Sequence, residues 1–101
     1  MDLLPIFLDI RQQPCLVVGG GAVAARKVTS LRRAGAHIHL VAPELGPDLQ
    51  ALALAGDLVH HARPFRDGDL QGMRLVIAAT RERAVNGCVA ELAKAAGIPV
   101  N

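Results

Sequence analysis

Aromatic residues are almost absent from this chain, which has no tryptophan or tyrosine and only two phenylalanines, Phe7 and Phe65. Its core must therefore be built from aliphatic side chains and alanine, the composition of a parallel sheet covered by alanine-rich helices. The same scarcity removes the aromatic surface on which single-stranded nucleic acids stack. The net charge is only +2, too small to neutralise a phosphate backbone. We therefore expect no nucleic-acid partner.

Cysteines and long apolar runs are also scarce. Cys15 and Cys88 form no CxxC pair, which argues against a disulfide framework or a thiolate zinc site. No apolar run approaches the length of a membrane span, and the start of the chain lacks the basic residues of a signal peptide. The four histidines have no carboxylate or cysteine at a ligand spacing, so we expect no metal site. These features predict a reduced, cytoplasmic protein without a membrane partner.

The sequence does contain a regular alternation of short apolar runs and amphipathic, alanine-rich stretches. Such alternation predicts right-handed βαβ units and a parallel sheet. The expected strands cover 15–18, 37–42, 58–61, 75–79 and 98–101, and the expected helices cover 22–34, 48–55 and 82–96. The apolar segment 3–10 contains Pro5, which predicts an edge strand or an extended lead-in. The chain is thus predicted to be one α/β, Rossmann-like domain over residues 1–101, with strand order 3-2-1-4-5 and helices on both faces.

The clearest motif lies between the first predicted strand and the first predicted helix. Gly19-Gly20-Gly21-Ala22-Val23-Ala24 reads G-x-G-x-x-A. In a dinucleotide site, Gly19 permits the tight turn, Gly21 lets the backbone approach a pyrophosphate, and Ala24 keeps helix and strand close. The helix N-terminus then offers free N–H groups and the positive end of its dipole to the phosphates. The motif predicts a nucleotide site, and the alternative is a glycine-rich turn without a ligand.

The ends of two further strands fit such a site. Glu44 follows the second strand, where a carboxylate would accept hydrogen bonds from the adenosine ribose. The alternative is a carboxylate favoured by the dipole at the start of the second helix. No basic residue lies beside Glu44 in sequence to hold a 2′-phosphate, which favours NAD over NADP. Ala79 and Thr80 end the fourth strand and are expected to border the cofactor, with Thr80 also the N-cap of the third helix.

A wider pattern extends beyond the glycine turn, and it comprises 4–8, 15–24, Arg26-Lys27, Ala34-Gly35-Ala36, Val41-Ala42-Pro43-Glu44, 75–80, Val85-Asn86 and Val100-Asn101. This pattern, which runs through essentially the whole chain, resembles the N-terminal domain of siroheme synthases, the precorrin-2 dehydrogenase and sirohydrochlorin ferrochelatase family. The resemblance implies NAD-dependent oxidation of the tetrapyrrole precorrin-2 to sirohydrochlorin in siroheme biosynthesis, with iron insertion at the same site in some members. By position, it implies NAD contacts at Gly21, Ala22, Val23, Pro43, Glu44, Ala79 and Thr80.

The chain departs from the family pattern in two places. Arg81 and Glu82 stand where small or acidic residues are common. In the family, the asparagine matching Asn101 is followed by an aspartate that serves both reactions, and a dimerisation region and, in fused members, a methyltransferase domain lie further on. The resemblance therefore implies an N-terminal fragment with no catalytic residue of its own, a monomeric part of a homodimeric parent, which binds NAD without turnover. The alternatives are a regulatory nucleotide-sensing Rossmann module and a catalytically silent interaction domain.

Overall fold

The computed structural model describes residues 2–101 as one sheet flanked by helices. The elements, in chain order, are β1 Pro14–Val18, α1 Ala22–Arg33, β2 His37–Val41, α2 Pro47–Leu54, β3 Val59–His61, a 3-10 turn Asp67–Leu70, β4 Leu75–Ala78 and α3 Arg83–Ala95. Within residues 2–101, no helix is long and apolar enough to cross a membrane.

The sheet has the order β3-β2-β1-β4 with parallel pairing throughout, which confirms the predicted order of the first four strands. Val18, the last residue of β1, pairs with Val41 of β2 and with Ala78 of β4. The carboxyl ends of these three strands therefore align along one edge of the sheet. The chain turns to opposite sides of β1 to form β2 and β4, and such a switch point is where open α/β sheets bind ligands.

The predicted fifth strand is reduced to a single parallel bridge between Val76 and Val100. The N–H of Val76 donates to the Pro99 carbonyl at 3.0 Å, and the N–H of Asn101 donates to the Val76 carbonyl at 3.0 Å. This segment lies beside β4, on the side that the predicted order assigns to strand five. Proline has no N–H to contribute to a ladder, and the pairing is too short to form a strand.

Helices cover both faces of the sheet, as the sequence predicts. The first face, under α1 and α2, has a core that includes Cys15, Val17, Ala24, Val28, Leu31, Ile38, Leu40 and Leu49. The second face, under α3, has a core of Leu16, Val18, Val41, Leu70, Val76, Val89 and Ala93. Successive residues of β1 alternate between the two cores, so this central strand is apolar throughout. Burial also raises the pKa of the Cys15 thiol.

The segment 3–10 forms no strand, which removes the edge-strand alternative that Pro5 left open and leaves a lead-in without regular secondary structure. Leu3, Leu4 and Phe7 are exposed, whereas Ile10 is buried in the core under α1. The lead-in contacts the rest of the domain through Ile10, which packs in the core under α1. This contact lies near the start of β1, at the end of the sheet opposite the carboxyl edge.

Candidate functional site

An open cleft of about 840 Å³ lies along the carboxyl edge of the sheet. A volume of this size is typical of small-molecule and cofactor sites. The walls of the cleft come from the glycine turn, the loop after β2, the segment after β3 and the turn after β4. All the residues predicted to contact a cofactor line it: Gly19, Gly21, Ala22, Val23, Pro43, Glu44, Ala79 and Thr80. The fold thus brings them together, and their contact with a ligand stays a prediction.

The glycine turn is packed directly against the end of β4. Gly19 has a φ of +135°, a conformation that side chains disfavour. A Cβ at this position would also collide with the carbonyl oxygen of Ala79. The N–H of Gly19 donates to the Val41 carbonyl at 3.0 Å. Gly19 therefore makes the tight turn for which the motif requires it.

The middle glycine, Gly20, packs closely against the loop after β2, a contact that the motif did not predict. A Cβ on Gly20 would collide with the carbonyl oxygen of Glu44 and lie 3.1 Å from the Cβ of Ala42. The Gly20 carbonyl accepts a hydrogen bond from the N–H of Gly46 at 2.9 Å. Gly20 thus joins the glycine turn to the loop that carries Glu44. The run of three glycines indicates that another part of the protein or a ligand comes close to the backbone here. It does not show which glycine contacts which loop.

The start of α1 faces the cleft without a cap from the protein. Gly21 occupies the N-cap position, no side chain bonds to this end of the helix, and its first turn contains no acidic residue. The space that a Cβ on Gly21 would occupy has no atom within 4 Å. Val23 is 45% exposed although its side chain is apolar. Free N–H groups at an open helix N-terminus suit the oxygen atoms of a phosphate.

Glu44 lies in the loop between β2 and α2, where it is exposed and lines the cleft. The helix α2 has its N-cap at Gly46, and Asp48 is the acidic residue of its first turn. Glu44 therefore does not occupy the helix-start position that was its alternative role. Among the described residues that line the cleft, the one basic side chain is Arg81, which follows β4 on the other side of β1. The loop after β2 thus offers a carboxylate with no basic lining residue beside it.

The predicted N-cap role of Thr80 is wrong. The helix α3 begins at Arg83 and has Glu82 at its N-cap position, with no side-chain cap. The Thr80 hydroxyl instead donates to Oδ1 of Asn86 at 2.7 Å, and the Thr80 N–H donates to the same oxygen at 3.0 Å. Nδ2 of Asn86 donates to the Thr80 carbonyl at 3.0 Å. Because Thr80 lies three residues before the helix, its hydroxyl meets a side chain of the first turn and the N–H of Glu82, not the free N–H groups within the helix.

Three histidines of β2 and β3, His39, His60 and His61, contact one another or the backbone. Nδ1 of His39 lies 3.2 Å from Nε2 of His61, and the two rings are stacked with their centroids 5.5 Å apart. Nε2 of His60 donates to the Ala42 carbonyl at 2.8 Å. Burial, with smaller contributions from His61 and His37, lowers the pKa of His39. In residues 2–101, no group of three or more histidine, cysteine or acidic side chains is placed to hold a metal ion.

Comparison with known proteins gives matches over nearly the whole chain. Residues 6–101 match a family described as "Putative NAD(P)-binding". The siroheme synthase of Nitrosomonas eutropha is 52% identical over 102 residues, and that of Chromobacterium violaceum is 50% identical over 101 residues. Both alignments use 100% of this chain but only 21% and 22% of the longer proteins. The chain thus spans about a fifth of the length of these relatives.

A solved structure is also similar. That of SirC, a precorrin-2 dehydrogenase, superposes with a TM-score of 0.83 at 28% sequence identity. The match covers 98% of this chain and 48% of that one.

Proposed function

This chain belongs to the NAD(P)-binding family that matches residues 6–101, and from that membership we propose that it is the NAD-binding domain of a precorrin-2 dehydrogenase. Such an enzyme oxidises precorrin-2 to sirohydrochlorin on the way to siroheme. The observation that carries the proposal is the cleft in which the glycine turn, the open start of α1 and Glu44 meet. The similarity to siroheme synthases and to a precorrin-2 dehydrogenase favours this function over a nucleotide-sensing module.

The cleft offers a separate wall to each part of a dinucleotide. The N–H groups at Ala22 and Val23 would hold the pyrophosphate, since the empty space beside Gly21 lets phosphate oxygens approach the backbone. Pro43 and Glu44 would border the adenosine ribose. The turn at Ala79 and Thr80 would border the nicotinamide, because it lies on the opposite side of β1 from Glu44. When bound, NAD supplies a hydride acceptor.

We further propose that the site prefers NAD to NADP. The carboxylate of Glu44 can accept hydrogen bonds from ribose hydroxyls, and it would repel a 2′-phosphate. The basic residue that lines the cleft, Arg81, follows β4 and not β2. Calorimetric titration should show tighter binding of NAD than of NADP, and Glu44→Gln should reduce the difference because it removes the negative charge. Equal affinities for the two nucleotides in the unsubstituted chain would contradict the role of Glu44.

We propose that the full reaction needs parts of a longer protein, such as the relatives of which this chain spans about a fifth. The acidic residues that line the cleft are Glu44, which we assign to the ribose, and Glu82, which is exposed at the start of α3. Neither is left as a positioned proton carrier, and the loss of such a group slows catalysis about 100- to 10,000-fold. We therefore expect residues 1–101 to bind NAD without oxidising precorrin-2. Sustained sirohydrochlorin formation above the protein-free control, under anaerobic conditions with NAD, would contradict this expectation.

We also propose a substrate, an oligomeric state and a location for the whole protein. The substrate of the whole protein is an acidic tetrapyrrole, and the whole protein forms a homodimer. Cys15 and Cys88 are free thiols, which supports a reducing, cytoplasmic location.

A further inference from the structure

One of the two aromatic rings in this chain lies at the cleft. Phe7 is fully exposed in the lead-in, whereas Phe65 is half-buried and lines the cleft beside Pro64. The ring of Phe65 packs against the core under α3. Because Phe65 is only partly buried, it both contacts the core and leaves ring surface open to the cleft.

The position of Phe65 along the sheet corresponds to one end of a bound nucleotide. The segment 62–66 leaves the carboxyl end of β3, which is the neighbour of β2 at the side of the sheet away from β4. A dinucleotide with its pyrophosphate at α1, its ribose at Glu44 and its reacting end at β4 has its base on the β2–β3 side. Phe65 therefore lies on the side of the cleft where the base would lie.

The segment that carries Phe65 is held by an ion pair with two hydrogen bonds. Nη1 and Nη2 of Arg63 lie 2.8 and 2.5 Å from the two carboxylate oxygens of Asp69. The N–H of Arg66 donates to the same carboxylate at 2.9 Å. The Asp69 side chain is only 6% exposed and that of Arg63 is 27% exposed. The hydrogen bonds from Arg63 lower the pKa of Asp69, so this carboxylate is charged at neutral pH.

The ion pair between Arg63 and Asp69 holds the segment between them in one conformation before a ligand binds. The ion pair spans 63–69, and Pro64, with its fixed φ, lies between Arg63 and Phe65. Ordering a loop during binding weakens affinity, and a loop that is already ordered avoids this loss. The bidentate geometry also restricts the rotation of both partners.

We propose that Phe65 is the wall on which the adenine ring of the nucleotide packs, and that Arg63 and Asp69 are positioning residues that hold this wall at the cleft. This inference rests on the proposed function and adds a nucleotide-binding residue to the same site. Packing of a base on an aromatic ring changes affinity by about 5- to 140-fold per base.

The test compares the two halves of the dinucleotide. Phe65→Leu keeps an apolar side chain against the core and removes the ring. We expect its affinity for ADP-ribose and NAD to fall about 5- to 140-fold. Saturation-transfer NMR with nicotinamide mononucleotide should show the same binding as in the unsubstituted chain. Phe7→Leu is the matched control, because the ring of Phe7 is exposed outside the cleft, and it should bind all three ligands normally. Unchanged ADP-ribose affinity in Phe65→Leu would overturn the inference.

The positioning role is tested by a double-mutant cycle. Asp69→Asn should weaken ADP-ribose binding in the unsubstituted chain and cause no further loss once Phe65→Leu is present. A residue that merely stabilises the fold would give the same loss in both backgrounds, and that result would overturn the role of Asp69. Melting curves for each variant confirm that the folded protein is being titrated.

Two outcomes of these titrations separate the proposed function from the role of Phe65. If the unsubstituted, folded chain binds neither NAD nor ADP-ribose, the proposed function is wrong and this inference falls with it. If the unsubstituted chain binds both and Phe65→Leu binds them equally well, only the inference about Phe65 is wrong.

Discussion

Thr80 and Asn86 are joined by three hydrogen bonds, which use the N–H, the hydroxyl and the carbonyl of Thr80. These bonds connect the turn after β4 to the first turn of α3. The turn lines the cleft, whereas Asn86 is not among the residues that line it. A single amide side chain therefore fixes the wall that we assign to the nicotinamide end of the nucleotide.

Asn86→Ala removes all three bonds and should lower the free energy of unfolding by about 1–3 kcal/mol, because three part-buried groups of Thr80 lose their hydrogen bonds to the amide. The affinity for NAD should also fall, since the turn is no longer held. Thr80→Val is the comparison: it removes only the hydroxyl and should have a smaller effect on stability. Urea denaturation measures both variants, and an Asn86→Ala protein as stable as the unsubstituted chain would contradict the assignment.

Gly20→Ala should destabilise the domain by about 1–3 kcal/mol, the usual cost of overpacking. The added Cβ collides with the Glu44 carbonyl, and because that atom belongs to the backbone, the loop itself must move. Gly21→Ala is the matched control, since its Cβ meets no atom within 4 Å and its φ of −101° suits any residue. Denaturation midpoints should separate the two variants, and equal midpoints would show that the glycine turn does not touch the loop after β2 as described.

The stability of the domain should fall as the pH drops below about 6.5, the ordinary pKa of histidine. Burial lowers the pKa of His39, so the folded state favours the neutral ring while the unfolded chain takes up a proton. This contribution to stability is complete above the unfolded pKa and is lost as the pH falls through the lower folded pKa. His39→Gln should flatten the pH dependence of the melting temperature between pH values of about 7 and 5. The exposed His37 provides the control, since His37→Gln should retain most of the slope, and equal slopes in all three proteins would contradict the role of His39.

Local sequence patterns were sufficient to predict the four strands of the sheet and the presence of the three helices. The apolar run at Cys15–Val18 and the spacing of Ala24, Val28 and Leu31 predicted a buried strand and the buried face of α1, because burial follows the periodicity of each element. The glycine motif likewise identified the edge of the sheet at which the cleft lies, since its position between a strand and a helix is itself a local feature.

The contacts that shape the cleft could not be read from the sequence in this way. Gly20 meets Glu44 only because β1 and β2 are neighbours with a particular register, and nothing adjacent to Gly20 in the chain encodes that distance. Thr80 was predicted to be an N-cap because its hydroxyl can accept hydrogen bonds from helix N–H groups. Since α3 begins only at Arg83, the Thr80 hydroxyl instead bonds to the side chain of Asn86. The fifth strand was predicted from two apolar residues around Pro99, whose missing N–H limits the pairing.

The most direct test of the account is a calorimetric titration of NAD into the unsubstituted chain and into Gly21→Val. A Cβ on Gly21 would meet no atom within 4 Å, so the domain should still fold with valine at this position. Because valine is a poorer N-cap residue than glycine, the melting temperature of Gly21→Val should be lower, and the titration is run below both melting temperatures. The same side chain would fill the space that the pyrophosphate needs at the start of α1. We predict that the unsubstituted chain binds NAD and that the folded Gly21→Val protein does not. Binding of NAD by Gly21→Val with the affinity of the unsubstituted chain would show that the nucleotide is not held at this turn.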